Sequence, residues 1–148
     1  MISHTRINVR LLPAALLLGV SAVACRSAPA EEAAAAGAAR VESVKGSETS
    51  RVTVTKVAAR NIDIQTASVT SVGGTSQIPF SALLYDPDGK AWTFVNEEGL
   101  TYMRQPLAVN HIDGGVVYLD EGPDVGSEVV TVGAPELYGA EQGVGDDE

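Results

Sequence analysis

The sequence predicts a mainly β domain: a small antiparallel barrel or sandwich with one or two short helices, preceded by a signal peptide and a disordered tether. Three observations predict it. Short apolar runs alternate with polar residues past position 51, turn residues recur about every ten positions, and the first 50 residues carry neither pattern. The part from Arg51 to Gly139 is long enough to bury one modest core.

The amino terminus comes first. Arg6 and Arg10 precede an apolar run from Leu11 to Ala24, broken only by Pro13, Gly19 and Ser21. A spanning helix needs about 20 apolar residues, so the run reads as the core of an export signal over 1–25. The only cysteine, Cys25, follows Ala22-Val23-Ala24 directly. Small residues before such a cysteine resemble the bacterial lipobox, although Ala22 stands where Leu or Val is usual. Cys25 is therefore expected to be lipidated and to hold the protein at the outer face of the cytoplasmic membrane, since stable anchoring takes more than one acyl chain. Cleavage after Ala24 by ordinary signal peptidase is the alternative, and it would leave an unpaired thiol. A single cysteine forms no disulfide within the chain.

Residues 26–50 are rich in alanine, with Glu31, Glu32, Gly37, Gly46 and scattered serines and no aromatic residue. Such a segment is expected to be a flexible tether reaching roughly 25 to 30 Å.

The β elements follow in order. Val52 and Val54 alternate with threonines; Val57 to Asn61 suits one helical turn; Ile62 to Ser68 alternates again and is expected to end before a hairpin at Gly73-Gly74. Two strands, Ser81 to Tyr85 and Lys90 to Val95, flank Asp86-Pro87-Asp88-Gly89, and Trp92 and Phe94 fall on one face of the second. Pro87 presets φ, Asp86 accepts from backbone beyond it, and Gly89 relieves the exit, so these four residues read as a structural turn. A calcium loop needs more oxygen ligands and a closing glutamate, which the spacing does not supply. Further strands are expected at Leu100 to Gln105, Leu107 to Ile112, Val116 to Leu119 and Glu128 to Val132, then a short helix over Pro135 to Tyr138 and a frayed acidic tail over 140–148.

Charge limits the partners. Residues 26–90 hold seven basic and seven acidic side chains, whereas 91–148 hold Arg104 alone against twelve acids. Nucleic acid, bound by neutralising phosphates with Lys and Arg, is excluded as a partner on this count. No catalytic constellation emerges either. His4 lies in the signal; His111 stands beside Asn110 and Asp113 without a nucleophile motif nearby; Asp120, Glu121, Asp124 and Glu128 lie among turn residues. The expectation is a binding protein rather than an enzyme, with no cofactor and no metal.

Order and spacing carry a resemblance beyond this. The stretch from Ile78 to Val95, then Tyr102 to Val109, then Ile112 to Gly139, is similar to the carboxy-terminal, membrane-proximal module of periplasmic adaptor subunits, the membrane-fusion or HlyD-family proteins of RND-type efflux transporters. The matching pieces are Pro79 to Leu83 running into Asp88-Gly89, Trp92 to Val95, Arg104-Gln105-Pro106-Leu107, Asp113-Gly114, Gly122 to Gly126, Val129 to Gly133 and the closing Glu136-Leu137-Tyr138-Gly139. Val52 to Thr55 with Ala58 to Ile62 resembles a shorter adaptor segment. The resemblance covers about 70 residues and implies an adaptor or accessory subunit that binds an inner-membrane transporter, with the membrane reached through the lipid anchor and a homo-oligomer as its assembly. Asp120, Glu121 and Asp124 are its expected partner contacts. The lipoyl-like domain and long helical hairpin of a full adaptor have no counterpart in the alanine-rich segment. A free-standing envelope lipoprotein that binds a small ligand, a metal or cell-wall material is the alternative function.

Overall fold

The computed structural model describes residues 37–143. The expected signal, Cys25 and residues 26–36 of the expected tether, like the last five residues, lie outside the described residues. Eleven strands and two helices follow in order: β1 (Ala39–Ser43), β2 (Ser50–Val54), α1 (Lys56–Asn61), β3 (Gln65–Ser68), β4 (Thr70–Val72), β5 (Thr75–Pro79), β6 (Leu84–Tyr85), β7 (Ala91–Glu98), β8 (Thr101–Pro106), β9 (Ala108–Asp113), β10 (Val116–Glu121), β11 (Glu128–Val132) and α2 (Ala134–Glu141).

All pairings are antiparallel, and they make two sheets. The first runs β1-β2-β8-β7-β11-β3 with β6 added on β7; the second runs β4-β5-β10-β9. One apolar layer lies between the sheets: Val95 of β7 and Val129 of β11 meet Ile78 of β5 and Val117 and Leu119 of β10, together with Val69 and Leu107. The other face of the first sheet has its own core, in which Val52, Val54, Phe94, Tyr102 and Val130 pack under Ala134 and Leu137 of α2. Adjacent residues such as Phe94 and Val95 therefore enter different cores, because successive side chains of a strand point to opposite faces.

Local chemistry explains the helices. The hydroxyl of Thr55 accepts from the backbone N–H of Ala58 and caps α1, while Pro135 opens α2, where a missing N–H costs nothing. Among the described residues no helix is long and apolar enough to cross a membrane.

Several expectations need correction. The folded domain begins at Ala39, inside the stretch expected to be tether, because β1 pairs along β2 from Ala39↔Val54 to Ser43↔Ser50. Four of the five β1 residues are exposed, so backbone bonding places this strand and no apolar period advertises it. Gly46, at φ +82°, lets the chain reverse between the two strands. At the other end α2 runs on to Glu141 and so takes in the first two residues of the expected tail. The strand expected from Ile62 starts only at Gln65: Ile62 closes α1, and Asp63 sits at φ +50°. Phe80–Ala82 is a 3-10 turn, which leaves only Leu84 and Tyr85 as a paired strand before the Asp86 turn.

Candidate functional site

Two regions gather polar chemistry. The first is the end of the first sheet where β6 turns into β7. Asp86 Oδ1 accepts from the N–H groups of Asp88 at 3.0 Å and Lys90 at 2.9 Å, and Oδ2 accepts from Trp92 Nε1 at 2.9 Å. The Gly89 N–H donates to the Asp86 carbonyl, and Gly89 lies at φ +79°. Partial desolvation pushes the Asp86 carboxyl up, but the donations from Trp92, Lys90 and Asp88 and the Lys90 charge outweigh it. The carboxyl ends below its ordinary range. All four turn residues thus make the hairpin, with Asp86 also fixing the indole of Trp92.

Behind that indole lies a lock on the carboxy-terminal helix. The Arg104 guanidinium sits 4.4 Å from the Trp92 ring centroid and 5.0 Å from that of Tyr138. Its Nε donates to Glu141, whose other oxygen accepts from the Ser50 N–H at 3.0 Å. Both charged side chains are more than nine-tenths buried. One carboxylate in the last turn of α2 thereby ties α2 to β8 and β2. A polar depression of about 360 Å³ opens beside it, lined by Glu48, Asp86, Lys90, Trp92, Arg104 and Tyr138 among others.

The second region is the outer face of the second sheet. Val117 and Leu119 of β10 point inward, so Val116, Tyr118 and the residues paired beside them point out. Tyr118 pairs with His111, and their rings stack with centroids 4.3 Å apart and planes 6° from parallel. The register then breaks twice: Leu119 faces Val109, and Glu121 faces Ala108. Asn110 on β9 and Asp120 on β10 are the surplus residues, one bulge on each strand. A bulge re-aims a side chain that alternation would have turned to the other face.

The two surplus residues bond to each other. Asn110 Nδ2 donates to Asp120 Oδ1 at 2.8 Å, and Asn110 Oδ1 lies 2.8 Å from His111 Nδ1. A carboxylate only accepts, so the Asn110 amide N faces Asp120 and its oxygen must accept from His111 Nδ1–H. That chain of donors fixes the ring of an exposed residue.

Asp120 and Glu121 lie on β10 itself rather than in a loop; Asp124 lies in the loop that follows. The structure brings Asp120 together with Asn110 and His111, while Glu121, Asp113 and Asp124 stay exposed around them. Sequence reading noted these residues separately and missed their convergence. Paired bulges leave no mark in an alternating pattern, and the nearest signal was a histidine directly after Asn110 and two residues before Asp113. Among the described residues no group of three or more His, Cys, Asp or Glu side chains is placed to hold a metal ion.

Charge divides between the sheets. The second sheet contains no Lys or Arg, and its charges are Asp113, Asp120 and Glu121. Arg40, Lys45, Arg51, Lys56, Arg60, Lys90 and Arg104 all belong to the first sheet, its turns and α1. No family model, no curated protein and no solved structure matches the chain.

Proposed function

We propose that this protein is an extracytoplasmic adaptor or accessory subunit of an RND-type efflux transporter, held at the membrane through lipid on Cys25 and acting by protein–protein binding. The observation that supports it best is the outer face of the second sheet. Among the described residues it is uncovered, carries an ordered aromatic and polar cluster, and has no Lys or Arg, while the sheet behind it packs on both faces. A docking module needs that division between a rigid body and an open face. The test is recovery of a tagged protein from mildly solubilised membranes. A polytopic transporter in the eluate supports the proposal, and a clean monomer contradicts it.

A second reading, a lipoprotein that binds a small amphiphile, is favoured by an open depression of about 490 Å³ beside α1. Ala59, Ile64 and Leu100 line it and Lys56 and Arg60 stand at its rim. A ligand-dependent rise in melting temperature would distinguish it.

A further inference from the structure

We infer that the twin-bulge face of the second sheet receives arginine side chains from a protein partner, with the Tyr118–His111 stack and its surrounding carboxylates as the receiving surface. This names the partner chemistry for the docking reading above and rests on it. Three features carry it. The charged groups presented there are all acceptors: the carboxylates of Asp113, Asp120 and Glu121, all exposed, beside a His111 ring whose Nδ1 is already committed to Asn110. The matching partner group is rich in donors. The rings of Tyr118 and His111 stack face to face with planes within 6° of parallel, which fixes the orientation of both and leaves each ring one π face that its neighbour does not cover. A guanidinium is planar, stacks on aromatic faces and offers five donors in a rigid fork, whereas an ammonium is a compact, strongly hydrated point charge. Charge is complementary throughout, since no strand of this sheet contributes a Lys or Arg to repel or compete with the incoming cation.

The geometry is also prepared in advance. Asn110 bridges Asp120 and His111 at 2.8 Å on each side, so the carboxylate and the ring are held in place before a partner arrives. Preorganisation lowers the ordering cost of binding. Val72, on the same outward side of the sheet edge, is 62% exposed and adds apolar surface beside the cluster.

The test is a titration of the full-length protein in mild detergent, at about 0.15 M salt, with a fluorescent hexa-arginine peptide and, separately, hexalysine. Arginine is expected to bind at least about fivefold more tightly than lysine, from stacking and charge-assisted hydrogen bonds that lysine makes less well. Asp120→Asn and Tyr118→Leu should each weaken the arginine peptide by about fivefold or more. Asp88→Asn removes the same charge from the β6–β7 turn of the first sheet, outside the twin-bulge face, and should leave affinity unchanged. Thermal melts check that the variants fold, and if Tyr118→Leu does not, Asp120→Asn against Asp88→Asn carries the comparison alone. Equal binding of the two peptides, equal weakening by Asp88→Asn and Asp120→Asn, or no saturable binding overturns the inference. The titration needs no transporter, so its failure is distinguishable from failure of the adaptor proposal, which is read by membrane capture.

Discussion

On β7, neighbours Phe94 and Val95 are both buried, one against α2 and the other against the second sheet; on β10, Val117 is buried and Tyr118 beside it is turned to solvent. The two sheets are made of similar strands, yet the first has a core on each face and the second on only one. Stability is concentrated where both faces are covered and where Glu141 fastens α2. The ordered aromatic and polar cluster lies where one face is free among the described residues, since side chains there are relieved of packing duties. The charge division follows the same line, with the cations on the first sheet and its attachments.

Substitutions should separate the two regions by size of effect. Phe94→Ala is expected to cost about 3 to 5 kcal/mol, because Phe94 is fully buried under α2. Tyr118→Ala, which loses a half-exposed stack, should cost about 1 kcal/mol. Denaturant midpoints at constant m-value read both, and equal losses would mean that the two faces share the burden of stability. Next comes the lock: Glu141→Ala leaves the Arg104 guanidinium buried without its counter-charge and should cost about 3 kcal/mol. Since the residue lies where the sequence suggests a loose tail, a change within about 0.5 kcal/mol would return that segment to the solvent.

Smaller effects probe the turn and the sheet interior. Gly89→Val forces a branched side chain to φ +79° and should cost about 1 kcal/mol or more; an unchanged melting temperature would show that the turn relaxes without strain. Thr93 Oγ1 is buried without a hydrogen-bond partner among the described residues. Thr93→Val keeps its shape and should raise stability by about 1 kcal/mol, whereas a loss would reveal a partner that the hydroxyl has found. The smallest effect is with pH. The Asp86 carboxyl is lowered in the folded state, so its contribution is present above the ordinary carboxylate range and fades as pH falls through that range and below it. Asp86→Asn should flatten that part of the acid limb; an identical limb in the variant removes Asp86 from it.

The fold was legible where side chains reported it. Val52 and Val54, Trp92 and Phe94, and the Asp-Pro-Asp-Gly turn each announce their element through period or turn chemistry. β1 was not legible, because its five residues bury almost nothing and are placed by backbone bonds to β2. The last turn of α2 was hidden for a related reason: Glu141 reads as one more acid in an acidic stretch until its partner Arg104, 37 residues earlier, is placed beside it. At the candidate face, His111 and Asp120 were visible as residue types. Their union depends on one surplus residue in each strand, which no count of alternating positions reveals.

The most direct test is parallel capture from mildly solubilised membranes with the tagged wild-type chain, Asp120→Asn and Asp88→Asn, each shown to fold by its melting curve. Recovery of a polytopic transporter by wild type and Asp88→Asn, with loss of most of it in Asp120→Asn, is the predicted result. Capture that survives Asp120→Asn undiminished, or that is absent from all three, would contradict the assignment of the second sheet as the docking face.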